Sequence, residues 1–172
     1  MDAISFKPIG VIHTPFKEPG GTPIQPDRSD GAEGTIEVYP AYMQGLADLD
    51  GFSHVTLVYY FHLSKGFDLM VTPFLDNELR GLFSTRAPRR PNPIGISVVK
   101  LKSIEENVLH VENVDMVDGT PLLDIKPYVR DFVGADDCRV GWLEDRMRPG
   151  SRKVADGRFI KREDDEENKQ QS

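Results

Sequence analysis

Proline limits this chain more than any other residue type. Four prolines fall between positions 15 and 26 and three more within 88–93, and the 172 residues hold 13 prolines and 15 glycines in all. Proline removes a backbone donor and glycine costs about 1 kcal/mol in a helix interior, so this spread argues against a helix bundle. Between the breakers lie short β-branched and aromatic runs, the composition of strands. They predict strands over Ile4–His13 with a bend at Pro8–Gly10, Thr35–Tyr39, Ser53–Leu63, Leu79–Thr85, Gly95–Lys102, Val108–Val114 and Leu122–Val129. Ser53–Leu63 reads as a central, well-buried strand, Gly81 as a bulge or close approach, and Pro127 as the mark of an edge or rim. Pro40–Asp48, with Tyr42, Met43, Leu46 and Leu49 at helical spacing, predicts a short helix, and Val140–Met147 a turn of helix. Strands at short intervals favour a mainly β, antiparallel sandwich or barrel with long loops, and a Rossmann sheet is not supported.

The charge of −7 is uneven. Residues 1–138 carry 12 Lys/Arg against 20 Asp/Glu, a net −8; residues 139–162 carry 8 against 3, a net +5; the last ten net −4. Three stretches are therefore expected: a domain over 1–138, a basic extension over 139–162 and an acidic, disordered tail over 163–172. Overall acidity argues against broad nucleic-acid binding but leaves room for a local basic patch. One cysteine, Cys138, allows neither an internal disulfide nor a cysteine zinc cluster. No apolar run suits a membrane span and no signal pattern opens the chain, so a soluble, cytoplasmic protein is expected.

The common catalytic signatures are missing: no GxGxxG, no GxxxxGK[ST], no HExxH and no GxSxG. His54 and His62 stand eight apart without a third ligand at sensible spacing, so no metal is expected. The informative run is Phe83–Gly95, FSTRAPRRPNPIG, in which Pro88, Pro91 and Pro93 stiffen a backbone carrying Arg86, Arg89 and Arg90 with Asn92 beside them. Rigid display lowers the ordering cost of binding, and guanidinium forks suit carboxylates and phosphates. The plainer alternative is a stiff hairpin with solvated arginines. Asp115–Pro121 is a turn whose two acids, beside free amides, suit ribose hydroxyls or a purine edge; alone it is equally a tight hairpin. The loop Pro15–Glu33 offers Gln25 as a polar hook, or is simply a mobile surface loop.

Together these segments resemble one family. Phe83–Ser97, GVIHTPF at Gly10–Phe16, YYFH ending at His62, and MVDGTPLLDIKPYV at Met116–Val129 occur in the order of the TsaA-like, or TrmO-like, family, and the resemblance covers about residues 5–135. The resemblance implies a small β-barrel methyltransferase that uses S-adenosylmethionine without a Rossmann fold. Characterised members methylate the exocyclic amine of threonylcarbamoyladenosine in tRNA, next to the anticodon, and are homodimers with cofactor sites near the interface. Carried over by motif, the cofactor would meet Pro23, Ile24 and Gln25, His62 and Leu63, Arg86 and Ile96, and Met116, Val117, Asp118 and Gly119. Arg86 would pair the methionine carboxylate or else a substrate phosphate, Asp118 and nearby backbone would hold the nucleoside, and Ile96 and Met116 would flank the adenine. Arg89, Arg90 and Asn92 are expected at the substrate, with Lys126 and Tyr128 lining the same mouth. His62 is the candidate base. Bacterial members carry a further C-terminal region after the barrel, for which the Arg139–Arg162 stretch is a candidate substitute. Two alternatives keep the cofactor: a methyltransferase of another small substrate, and a non-catalytic regulatory protein that binds adenosylmethionine.

Overall fold

A computed structural model describes residues 3–23, 29–129 and 140–143. Eight strands are present among them: β1 Gly10–His13, β2 Glu33–Val38, β3 His54–Tyr60, β4 Met70–Val71, β5 Arg80–Gly81, β6 Ile94–Glu105, β7 Val108–Glu112 and β8 Thr120–Pro127. Six of them close into a barrel in the order β1-β2-β7-β6-β3-β8, with β8 pairing back onto β1 through Gly10↔Leu122 and Ile12↔Thr120. Every pairing is antiparallel. The sandwich-or-barrel choice is thereby settled in favour of the barrel.

Alternation decides which side chains enter the barrel. Ile12, Ile36, Val55, Leu57, Val99, Leu109 and Leu122 point inward and are fully buried. Each such aliphatic side chain is worth about 1.5–3 kcal/mol of burial. β3 alternates half-buried and buried residues rather than being buried on both faces, because a closed barrel has a single interior. β3 is central, as expected, being paired with both β6 and β8, and its burial falls on alternate residues.

Other elements are shorter than the sequence suggested. The first strand starts at Gly10, and Ile4 and Phe6 are exposed. Pro8 cannot donate to a ladder, and pairing reaches only one residue further back, where the Ile9 amide donates to the Leu122 carbonyl. The expected helix at 40–48 is a 3₁₀ turn over Pro40–Leu46 with no buried residue, too little apolar contact to extend it. Leu79–Thr85 is the two-residue β5 followed by a 3₁₀ turn at Leu82–Ser84. Gly81 faces open space, so the predicted close approach is not there. It occurs instead at Gly10, where a Cβ would sit 2.3 Å from the Glu37 carbonyl oxygen, and at Gly95, where it would sit 2.2 Å from the Tyr59 ring. Pro127 ends β8 at the barrel's rim, where its missing donor interrupts no interior ladder. Gly141–Leu143 is a 3₁₀ turn; the remainder of the predicted 140–147 turn, Cys138 and the acidic tail lie outside the described residues.

Candidate functional site

β3 and β6 run side by side from His54↔Lys100 to Tyr60↔Ile94, and the Phe61 amide donates to the Pro93 carbonyl at 2.8 Å. The exit of β3, with His62 and Leu63, therefore lies against the entry of β6 and the arginine-proline run that feeds it. Arg86 belongs to this corner because its Nη2 donates to the carbonyl of Ile96. Ile96 faces outward and keeps half of its surface in solvent, as does Leu63. Partial burial of the His62 imidazole penalises its charged form and lowers its pKa. The exit of β3 and the entry of β6 thus carry, along adjoining stretches, a guanidinium bonded to the backbone, an imidazole of lowered pKa and two half-exposed apolar side chains.

Inside the barrel, under the same corner, runs a chain of polar groups that the sequence reading missed. Tyr59 Oη lies 3.0 Å from Ser97 Oγ, and Ser97 Oγ donates to Asp115 Oδ1 at 2.7 Å. Tyr59 is 3% exposed, and burial together with the nearby Asp115 charge pushes its pKa upward. The phenol stays protonated and can only relay a hydrogen bond. The available signal was Ser97 itself, a polar residue at an inward position of β6.

The three signature arginines are spent differently. Arg89 Nη2 pairs with Asp68 at 3.2 Å and its side chain is 16% exposed, so it clamps the loop after β3. Arg89 Nε and Ser64 Oγ are buried without a hydrogen-bond partner among the described residues. Arg90 donates from Nη1 to the carbonyls of Thr85 at 2.9 Å and Ala87 at 3.3 Å, and its guanidinium stands 5.8 Å from the Phe83 ring centre. It folds the run onto itself. Both guanidiniums are thus engaged within the chain. Asn92 is exposed, and its carbonyl accepts from the Ile94 amide.

The Met116–Gly119 turn also departs from expectation. Two of its amides are taken: Asp118 donates to the Phe16 carbonyl at 2.7 Å and Gly119 to the Ile12 carbonyl at 2.9 Å. Asp118 Oδ1 accepts from the Thr14 amide and Oδ2 from Lys17 Nζ at 2.8 Å. The Lys17 hydrogen bond, then the Thr14 amide, hold the Asp118 pKa below its ordinary value. Met116 is 3% exposed and packs in the barrel core, so its side chain cannot flank an external adenine as it stands. Val117 is half-buried, and its carbonyl accepts from Thr120 Oγ1. The turn braces β1 against β8. Asp118 opens instead onto a groove of about 690 Å³ on the outer wall, lined among others by His13, Lys17, Glu33, Lys102 and His110.

Lys126 and Tyr128 do not reach the same mouth in one chain. Lys126 lies opposite Thr56 and pairs with Asp124 at 2.7 Å, while the Tyr128 amide donates to the His54 carbonyl. Both sit toward the start of β3, about 20 Å from its other end at six residue steps. His54 opens β3 and His62 lies beyond its far end, and no group of three metal-ligating side chains occurs among the described residues. Pro23 is buried; Ile24 and Gln25 lie outside the described residues.

Known proteins resemble this chain over most of its length. The family described as tRNA-methyltransferase O N-terminal domain matches residues 11–133. A probable S-adenosyl-L-methionine-binding protein of Pyrococcus abyssi is 50% identical over 157 residues, covering 91% of this chain and 85% of the relative. The tRNA (adenine(37)-N6)-methyltransferase of Escherichia coli is 38% identical over 139 residues, covering 75% of this chain and 59% of that enzyme. The crystal structure of TrmO from Pseudomonas aeruginosa superposes with a TM-score of 0.69 at 38% identity, covering 82% of this chain and 63% of that one. The chain thus spans less than two thirds of the two longer proteins.

Proposed function

Because the chain belongs to the tRNA-methyltransferase O N-terminal-domain family, we propose that it transfers a methyl group from S-adenosyl-L-methionine to tRNA, on the exocyclic amine of threonylcarbamoyladenosine next to the anticodon. The observation that carries this is the corner of Arg86, Ile96, His62 and Leu63, built by the most specific run of the family's sequence. Its residues fit the cofactor. Half-exposed apolar side chains beside a guanidinium fixed on a backbone carbonyl suit a ligand with both an apolar and a carboxylate part. When bound, the cofactor supplies a methyl group on a positively charged sulfur.

The work left to this chain is alignment and proton removal. With the cofactor held by Arg86 and the apolar side chains beside it, the substrate amine would receive the methyl group the cofactor supplies and would give up its proton to a base of this chain. Arg86 keeps N–H donors beyond the one spent on Ile96 and orients the methionine carboxylate with them. His62, whose pKa is lowered by partial burial, is the candidate to accept the proton. The Asp115–Ser97–Tyr59 chain fixes the floor beneath both. Leu63, Phe67, Leu69, Met70, Leu79 and Phe83 expose apolar surface on and around these loops, which supports a second copy of the chain covering the corner as a homodimer.

The test is to incubate the protein with labelled S-adenosyl-L-methionine and tRNA bearing threonylcarbamoyladenosine, then digest the tRNA and weigh its nucleosides. A modified nucleoside heavier by one methyl, absent from tRNA lacking the threonylcarbamoyl group, is expected. Cofactor binding by calorimetry with no methyl on any nucleoside would overturn the transfer and leave a binding protein, the function named for the archaeal relative.

A further inference from the structure

A cofactor with a positively charged sulfur meets an electrostatic obstacle at this corner. The stretches that build it, residues 62–70 and 83–97, carry Lys65, Arg86, Arg89 and Arg90 against a single acid, Asp68. Asp68 is taken by Arg89 at 3.2 Å. Like charges in one site repel, and more strongly where water is excluded. A carboxylate from elsewhere in the fold has to answer the sulfur.

The barrel brings one to the same two residues of β6. The Ile96 carbonyl accepts from Arg86 Nη2, and the next residue, Ser97, donates from its hydroxyl to Asp115 Oδ1 at 2.7 Å. Covalent geometry from the Ile96 carbonyl to the Ser97 hydroxyl keeps those Arg86 and Asp115 atoms within about 10 Å of each other. Burial first and the Asp115 charge second raise the Tyr59 pKa, while the Arg86 charge lowers it, so both charges are felt at that hydroxyl.

The hold on Asp115 is directional. A carboxylate only accepts, so Ser97 gives Asp115 its proton, and Tyr59 Oη, 3.0 Å away, donates to Ser97 in turn. Tyr59 and Ser97 are each 3% exposed, whereas Asp115 is half-buried. In a barrel interior, an apolar pair of similar shape at 59 and 97 would serve stability about as well. What the two hydroxyls secure is the place of a carboxylate.

We propose that Asp115 recognises the positive sulfur of the bound cofactor, with Ser97 and Tyr59 as the positioning residues that hold its carboxylate, so that the site prefers the methyl-bearing cofactor to the thioether left after transfer. This rests on the corner being the cofactor site. Arg86 takes the carboxylate that both forms share, and Asp115 answers the charge that only one of them has. Loss of that charge on transfer loosens the spent cofactor.

The test is calorimetric titration of the full chain with S-adenosyl-L-methionine and with S-adenosyl-L-homocysteine, which has the same shape less the methyl group and a neutral sulfur. Asp115→Asn, which keeps an acceptor for Ser97, is expected to weaken the first by about tenfold or more and the second by less than about threefold. Ser97→Ala keeps the charge and loses its hold, and should weaken the first ligand selectively, by less than Asp115→Asn does. A merely structural role would weaken both ligands alike. Equal losses for the two ligands in Asp115→Asn, or none for either, overturn the assignment. Should Asp115→Asn not fold, Ser97→Ala decides by the same comparison. Arg86→Ala keeps the two failures apart: it should weaken both ligands, and unchanged affinity for both would overturn the corner as the cofactor site, and this inference with it.

Discussion

Gly95 carries a heavy structural burden for so small a residue, and Gly95→Ala measures it. Gly95 lies opposite Tyr59 across the β3–β6 ladder, and the Tyr59 ring fills the space where its side chain would be. A Cβ there would stand 2.2 Å from Cε2 and 2.4 Å from Cζ. Ordinary contact begins near 3.4 Å, so the ring must retreat by more than 1 Å. It would retreat into a barrel whose lining includes Ile12, Leu57 and Leu122 at 0% exposure. Overpacking of this kind costs about 1–3 kcal/mol. Retreat also strains the Tyr59–Ser97 hydrogen bond, worth about 0.5–1.5 kcal/mol. The expected destabilisation is therefore about 2–4 kcal/mol in urea unfolding, or roughly 4–16 °C in Tm for a chain of this size. In a Tyr59→Leu background, where the outer ring atoms are gone, Gly95→Ala should cost under about 0.5 kcal/mol, since alanine suits a strand interior better than glycine. A full cost in both backgrounds, or none in either, refutes the ring as the reason for the glycine.

Other expectations follow from the site. The lowered Asp118 pKa adds stability above the carboxylate's ordinary value near 4, and that stability is lost as pH falls through the lowered value. Lys17→Met should move the Asp118 midpoint upward in a carboxyl-carbon NMR titration, at under about 1 kcal/mol because Lys17 is solvent-screened; a fixed midpoint contradicts the pairing. If His62 takes the proton, methyl transfer should fall on acidification with a midpoint below 6.5, and His62→Gln should abolish that limb. An acid limb retained in the Gln variant assigns the base elsewhere. Asp76→Ala leaves Arg80 without its buried partner and should cost about 3 kcal/mol; a loss below 1 kcal/mol in urea unfolding would show that Glu78 alone holds the arginine.

Much of the barrel was readable because alternation and burial coincide in it. Val55, Leu57 and Tyr59 announce β3, and the β-branched run at 94–99 announces β6, wherever the other strands go. Closure was not readable, since Gly10↔Leu122 joins positions more than a hundred residues apart and no local pattern encodes it. Ion pairs between distant residues were no more legible than closure. Asp118 resembles a free acid until Lys17 meets it, and Arg89 a free cation until Asp68 does. Gly81 and Gly95 look alike in sequence, and only the ring across the ladder separates them. Arg86 and Ile96 were reached through family resemblance, because ten residues of proline-rich chain conceal that one bonds the other's carbonyl.

The order of strands also sets a timetable for synthesis. β3 is made early, yet its two neighbours are β6, which begins 34 residues after β3 ends, and β8, the last strand of the barrel. β2 likewise waits for β7, and β1 for β8. A ribosome halted before residue 120 holds a sheet with unpaired rims, the form most prone to join another nascent chain. Emergence of Thr120–Pro127 turns the ribbon into a cylinder in a single move, sealing both rims at once, and until then the cell must shield it.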